Sequence, residues 1–440
     1  MLRIVKNIKR YKSFIVLCIS VLLFCPCVAL AEEGEGESLW PVPDYTGKLW
    51  TRPALTGDWG GLRTKMAEKG ITLSVDNTTT YQSVLDGGRD EDDEFGGSLD
   101  YEIHLDFQKM GLWPGAFVRL FAETQYGDFV NSDTGAALAT NTDGLFPLAD
   151  EDKTTLTSVI FYQFLSEWFG IFLGKIDTLD GDTNEFAGAR GKDQFLNMNF
   201  VFNPVTLRTS PYSALGGGFL VVLPKDRGLF SVAVLDANGQ PDVVGFDDAF
   251  DDGTVFSGEL RLNTKLFGLP GHQLFGATWS SKDFTLLDQD VRLLLLELIT
   301  TGEITLDKKD ESWSFYYNFD QYLYTEKADP EQGVGLFGRF GMADAETSPI
   351  ETFYSIGIGG KGIIPGRDRD TFGIGYFYVG LSDDLPNPFN ILDDSQGWEL
   401  FYNIEVTPWL HITPDFQIID PSLERVDTAY IAGIRVKMDF

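Results

Sequence analysis

Several stretches of this chain alternate apolar and polar residues, and beyond residue 31 no apolar run reaches the roughly 18 residues that a spanning helix needs. In Leu99–Gln108, Leu99, Tyr101, Ile103, Leu105 and Phe107 point one way; Asp100, Glu102, His104, Asp106 and Gln108 point the other. Phe256–Leu266 sets Phe256, Leu260, Leu262 and Leu266 against Ser257, Glu259, Arg261, Asn263 and Lys265. Trp398–Val406 and Tyr430–Phe440 repeat the pattern. A period of two is that of a β-strand with two unlike faces, so the chain reads as all-β. Such a strand either buries its apolar face in a sandwich core or turns it toward lipid in a closed barrel.

The N-terminus and the composition separate these alternatives. Met1–Lys12 is basic, Phe14–Val28 is almost wholly apolar, and Ala29-Leu30-Ala31 supplies small residues before Glu32, the layout of a secretory signal. All three cysteines (Cys18, Cys25 and Cys27) fall in this segment, so a processed chain holds no disulfide, thiol nucleophile or thiolate metal site. Removing it lowers the basic count from 34 to 29 against 66 acids and takes the net charge from −32 to −37. That charge repels phosphate backbones and argues against nucleic-acid partners. An exported chain with 14% aromatic residues and many amphipathic strands fits a transmembrane antiparallel β-barrel, because sheet backbone crosses a bilayer only when closed on itself.

Connectors support the barrel. Short links at Met110–Gly115, Ser166–Trp168, Pro224–Gly228 and Phe267–Gly271 alternate with longer ones at Asp86–Gly97, Asp128–Lys153, Asp177–Gly216 and Ala237–Gly253. This is the expected rhythm of periplasmic turns and external loops. Counting forward gives nine strands by about Phe284, and counting back from Phe440 gives seven starting near Trp313. Sixteen strands result, or eighteen if Asp288–Thr305, with its apolar Leu293–Leu296, forms another hairpin. A barrel of this size encloses water rather than a packed core. The chain divides into a signal peptide (1–31), a periplasmic extension (32–55), a short amphipathic helix (56–70) and the barrel (71–440). Asp58 is the expected N-cap of the helix and Gly70 its left-handed end, with Leu62 and Met66 sharing the docked face.

The run Leu55-Thr-Gly-Asp-Trp-Gly-Gly-Leu-Arg-Thr-Lys-Met-Ala-Glu-Lys-Gly-Ile71, leading into an alternating strand, resembles the opening of the carbohydrate-selective (OprB-like) porin family. Asn318–Tyr324, Gly335–Arg339, Lys361–Asp370, Trp398–Tyr402 and Thr407–Gln417 with Asp420-Pro421 resemble later segments of that family, in order. Asn184-Glu-Phe186 is a looser match, in the region of a constriction loop. The resemblance implies a sixteen-stranded outer-membrane barrel through which sugars diffuse; no cofactor or metal is expected.

A pore selective for sugars needs donors, acceptors and flat apolar surfaces at its lining. On Phe117–Gln125 the inward set is Arg119, Glu123 and Gln125 with Phe117 and Phe121; Glu259 and Arg261 follow on another strand. Arg190, Phe195 and Arg208 are placed to fold inward on the long link Asp177–Gly216. The terminal Phe440, ending an amphipathic strand, resembles the signal read by outer-membrane assembly machinery. The expected partners are sugars or other small neutral solutes, outer-membrane lipid and that machinery; monomer and homotrimer both stay open. The alternatives are a general or ion-selective porin and an outer-membrane barrel enzyme. Gly357-Ile-Gly-Gly-Lys-Gly362 matches G-x-G-x-x-G but lies in an alternating strand, without the βαβ frame of a dinucleotide site. His104, His272 and His411 lack metal-ligand spacing, and Asp90–Glu94 and Asp247–Asp252 read as solvated acidic loops. No HExxH or GxSxG occurs.

Overall fold

A computed structural model describes residues 41–148, 152–290, 292, 298–300, 302–387 and 391–440. The signal segment and the extension up to residue 40 lie outside these residues.

Sixteen antiparallel strands close into a barrel. They are β1 (Ile71–Gly88), β2 (Asp93–Asp106), β3 (Ala116–Gly127), β4 (Thr154–Ser166), β5 (Phe169–Asp177), β6 (Ser213–Leu223), β7 (Gly228–Asp236) and β8 (Thr254–Leu266). The second half comprises β9 (Leu269–Ser280), β10 (Ser312–Thr325), β11 (Gly333–Ala343), β12 (Ile350–Lys361), β13 (Thr371–Leu381), β14 (Ser395–Thr407), β15 (Leu410–Asp420) and β16 (Asp427–Asp439). Each strand pairs with its sequence neighbours, and β1 closes on β16 with Thr80 opposite Arg435. Closure leaves no sheet edge for lipid to face.

The nine-plus-seven count therefore holds at sixteen. Asp288–Thr305 supplies no barrel strand among its described residues; its flanks form only a two-residue pairing, Phe284–Thr285 with Lys308–Lys309. The link expected at Asp86–Gly97 shrinks to residues 89–92, because β1 and β2 continue through most of it.

The outer face carries the apolar half of each alternation, and its aromatic residues gather near both ends. Tyr354, Tyr376 and Trp398 form a chain of neighbouring rings with centroids 6.2 and 5.1 Å apart toward the long-loop end. Phe169, Phe219 and Phe230 form another toward the short turns, near the exposed Trp168 and Phe267. Two such girdles mark the two interfaces of a bilayer.

The helix α1 (Leu62–Glu68) is shorter than expected and its capping differs. Gly61 occupies the N-cap position, and Asp58 instead accepts hydrogen bonds from the Thr64 amide and hydroxyl, both 2.8 Å. The buried face is Arg63 and Ala67, while Leu62 is exposed. Arg63 explains the rotation: its guanidinium stacks on Tyr45 at 4.0 Å and donates to the Leu73 carbonyl, and this needs that face inward. Gly70 takes the left-handed conformation expected of it, with φ +88°. The segment is tied to the short-turn end by Leu55 N–H to Asp439 O and by Trp409 Nε1 to Leu49 O, both 2.7 Å. Phe440 lies beside β1, its amide donating to Val75 O.

Candidate functional site: the lumen and its inner strap

The interior is not simply water. Residues 178–212, between β5 and β6, run inside the barrel as a strap against the inner faces of β10–β16. Their Phe195 and Phe200 are fully buried in a cluster with the wall residues Phe337, Phe377 and Phe401. Phe195 stacks on Phe200 at 4.5 Å and meets Phe401 edge-on at 4.8 Å. Inward-facing glycines make room for these rings. A Cβ on Gly375 would lie 2.4 Å from the Phe200 ring, and one on Gly359 only 2.6 Å from the Phe186 Cβ. Of the glycines that mimic a dinucleotide fingerprint, Gly357 and Gly359 are thus sockets in a strand, and Gly362 begins the turn after it with φ +70°.

Polar groups from the wall fix the strap's backbone. Arg339, wholly buried, donates through Nε to Asp182 Oδ2 (2.8 Å), through Nη1 to Phe200 O (2.8 Å), and through Nη2 to the carbonyls of Asp182, Ala187 and Val201. Asn318 donates to Asp182 and accepts from Asn184 Nδ2 at 2.6 Å. Glu399 accepts from the amides of Leu196 and Asn197, and Gln417 accepts from Asn197 Nδ2. Arg435 donates to the carbonyls of Gly191 (2.6 Å) and Gln194 (2.8 Å). A strap of irregular backbone in a low-dielectric interior needs such partners for its amides and carbonyls. The described part of the loop between β3 and β4 packs over the strap: Thr142 Oγ1 donates to Leu196 O, and Phe146 stacks on Tyr212 at 4.3 Å.

On the other side, toward β2–β4, charged groups meet the remaining lumen. Arg119 pairs with Glu102 (2.5 Å) and with Asp180 of the strap. Arg190 pairs with Asp177 (2.9 Å) and Glu123 (3.0 Å) and receives no proton in return, since guanidinium only donates; its Nη2 also contacts the Tyr212 hydroxyl at 2.8 Å. Both guanidinium groups lie over Phe121, 5.1 and 4.9 Å from the ring centroid. Arg119 keeps 15% and Arg190 19% of the side chain accessible, Glu102 27% and Asp180 37%, so this cluster touches water whereas the strap anchors do not. Lys192 reaches Asp100 at 2.6 Å and Asp76 at 3.4 Å. Burial alone would depress the Lys192 ammonium, but Asp100, Asp76 and Asp143 outweigh it and hold its pKa above the usual lysine range.

The structure thus brings Arg119, Phe121, Glu123 and Arg190 into one cluster. Gln125 lies on the same face one step higher and is buried. Glu259 accepts from the Asp182 amide and the Tyr316 hydroxyl, so it ties down the strap. Arg261 stands apart on β8 and forms no ion pair within 4.0 Å among the described residues. Phe195, expected at the lining, is fully enclosed by other rings, and Arg208 sits near the outer loops, donating to Thr347 O and covering Phe284. Sequence reasoning missed Glu102, Asp180 and the anchors Asn318, Arg339, Glu399, Gln417 and Arg435. Each anchor except Arg435 falls inside a segment carrying the family resemblance, and inward parity on those segments was the available signal.

The profile described as carbohydrate-selective porin, OprB family, matches residues 90–440. Porin B of Pseudomonas aeruginosa is 22% identical over 431 residues, spanning 88% of this chain and 91% of that protein. The high-pH structure of Pseudomonas putida OprB superposes with a TM-score of 0.77 at 20% identity, over 90% of this chain and all of the other. The low-pH structure gives 0.59 at 18%, over 89% and 99%. These structural likenesses concern the fold; the profile match carries the assignment. The chain belongs to the carbohydrate-selective porin, OprB family.

Proposed function

We propose that the barrel is an outer-membrane channel whose strap narrows the lumen to one aqueous passage along β2–β9, admitting sugars and similar small neutral solutes. The observation that carries this reading is the accessible cluster Arg119, Arg190, Glu102 and Asp180 around Phe121. Rigid donor forks and carboxylate acceptors, held in place over the buried Phe121 ring, suit a solute with many hydroxyls and no net charge. Bonds already satisfied within the cluster keep each solute contact weak and exchangeable, as passage requires. Arg261 contributes as a lumen-facing polar group, Glu123 holds Arg190 in place, Glu259 holds the strap and Gln125 is buried; in this reading Phe195 supports the strap and Arg208 the outer mouth.

Each barrel holds a complete passage, so the reading applies to a monomer and a homotrimer alike. Residues 1–31 act in it as a cleaved export signal, and the product resides in the outer membrane as a channel rather than an enzyme. The test is planar-bilayer recording with sugars added as blockers to the wild type and to Arg119→Ala. Glucose-dependent closure that weakens in the variant supports the reading; current unaffected by any sugar in both proteins fits a general or ion-selective porin instead.

A further inference from the structure

The wall below the charged cluster is unlike the rest of the lumen. The register places Phe164, Tyr162, Phe172, Leu220, Val222 and Leu229 on the inner face of four consecutive strands, β4 to β7. Phe117, on the inner face of β3, pairs with Tyr162; Tyr162 pairs with Phe172, and Phe172 with Gly218. Phe164 pairs with Gly170 and Gly170 with Leu220, while Val222 pairs with Leu229. Side-chain proximity agrees: a Cβ on Gly170 would lie 3.2 Å from Phe164 and 3.4 Å from Leu220, and one on Gly218 would lie 2.7 Å from Phe172. Tyr162 and Phe172 are neighbours at 6.2 Å between ring centroids.

These side chains are not sealed off. Val222 and Leu229 are each 39% exposed, and Tyr162, Phe164, Phe172 and Leu220 are half-buried. The strap, anchored on β10–β16, does not bury them. Across the passage the lining is charged: Asp76, His104, Lys437 and Asp439 occupy inward positions on β1, β2 and β16. The passage therefore has one polar wall and one apolar wall, and water against the apolar wall is displaced favourably by any apolar solute surface.

The length of the apolar wall narrows the solute class. Four neighbouring strands at roughly 4.8 Å spacing span about 14 Å, longer than a single pyranose. Tyr162 lies diagonal to Arg119, so a sugar ring can stack there while its hydroxyls meet Arg119, Glu102 and Asp180. Beyond Phe172 the wall continues as Leu220, Val222 and Leu229, with Ser231 opposite Leu220 and Arg261 opposite Leu229 at its far edge. A second sugar ring over Phe172, Leu220 and Val222 would reach donors only at that edge and leave its other hydroxyls unpaired. An apolar ring would not.

We propose that the passage favours glycosides bearing an aromatic or other apolar aglycone over the free sugar. The sugar sits at the Arg119–Glu102–Asp180 cluster and the aglycone lies along Phe172, Leu220 and Leu229. This rests on the sugar-channel reading above and refines its substrate class.

The experiment compares current block by glucose, maltose and p-nitrophenyl β-glucoside in planar bilayers, using wild type, Phe172→Ser and Leu220→Ser. The expected result is half-block by the aryl glucoside at about tenfold lower concentration than by glucose. In either variant that advantage falls to about twofold while glucose block stays near its wild-type value. Two variants guard against one failing to assemble, which heat-modifiable gel mobility reports. Aryl glucoside no better than glucose, maltose better than the aryl glucoside, or an advantage unchanged in both variants overturns the aglycone assignment and leaves the sugar channel standing. Absence of block by glucose and maltose, with p-nitrophenol alone blocking as well as its glucoside, overturns the sugar-channel reading and this inference with it.

Discussion

Replacing Arg339 by alanine removes one side chain and leaves five hydrogen bonds to the strap unmade. Asp182, itself buried, loses its ion-pair partner, and the carbonyls of Ala187, Phe200 and Val201 lose a charged donor. Breaking a buried pair by deleting one partner costs about 3–5 kcal/mol. The barrel ladder does not depend on this residue, so that cost falls on seating the strap. Arg435 and Glu399 still hold residues 191–197, whereas 182–187 keep neutral-donor bonds, among them those to Asn318, Glu259, Asp320 and the Phe319 carbonyl, so the first half of the strap should loosen. Asp180 and Arg190 flank that half and should move with it, widening the passage. Single-channel recording is expected to give a higher and noisier open current and weaker sugar block. The folded band on unboiled gels should persist. Arg339→Lys keeps a point charge but not the planar fork, and should fall between the two. Wild-type conductance and sugar block in correctly folded Arg339→Ala would refute the claim that wall-to-strap bonds set the width.

Further outcomes follow from the same geometry. Gly359→Ala sets a Cβ 2.6 Å from the Phe186 Cβ, so overpacking of about 1–3 kcal/mol should loosen the strap and raise conductance in the direction of Arg339→Ala; an unchanged trace counts against the socket. Glu399→Ala strips the acceptor from the Leu196 and Asn197 amides, and protease cleavage after Lys192, measured on folded protein in detergent, should become faster than in the wild type. Lys192 has its pKa raised by Asp100, Asp76 and Asp143, so the stability it contributes is fully present below the unfolded lysine value near 10.5 and is lost only as pH rises through the higher folded value. Conductance should therefore stay level between pH 7 and 10; a step within that window, absent in Lys192→Met, would contradict the clamp.

Much of the barrel could be read from the sequence because strand periodicity is local. Each inward or outward position on β2, β3, β8 and β16 follows from its neighbours two residues away, and the nine-plus-seven count needed only the turns. The strap was less legible. Residues 178–212 have no period, and their conformation is set by groups more than a hundred residues distant, such as Arg339 for Asp182 and Glu399 for Leu196. A phenylalanine in a lumen loop suggests a stacking surface, which points Phe195 to the lining; the inward glycines Gly373 and Gly375, which turn the opposite wall into a socket, read in the sequence only as strand glycines. Hydropathy favours Leu62 and Met66 as the docked helix face, but Arg63 takes it because its guanidinium reaches Tyr45 and the Leu73 carbonyl.

The central claim is that alternate residues of one strand face water inside and lipid outside. Single cysteines along β3 test it directly, since every native cysteine lies within the first 27 residues. Cysteine at Arg119, which keeps 15% of its side chain accessible, should react with a charged, membrane-impermeant thiol reagent and reduce the current. Cysteine at Leu120 or Ala122 should react only with a lipid-soluble maleimide and leave the current unaltered. Equal labelling along both faces by the charged reagent, or current loss from the Leu120 and Ala122 positions, would contradict a lipid-facing exterior around an aqueous passage.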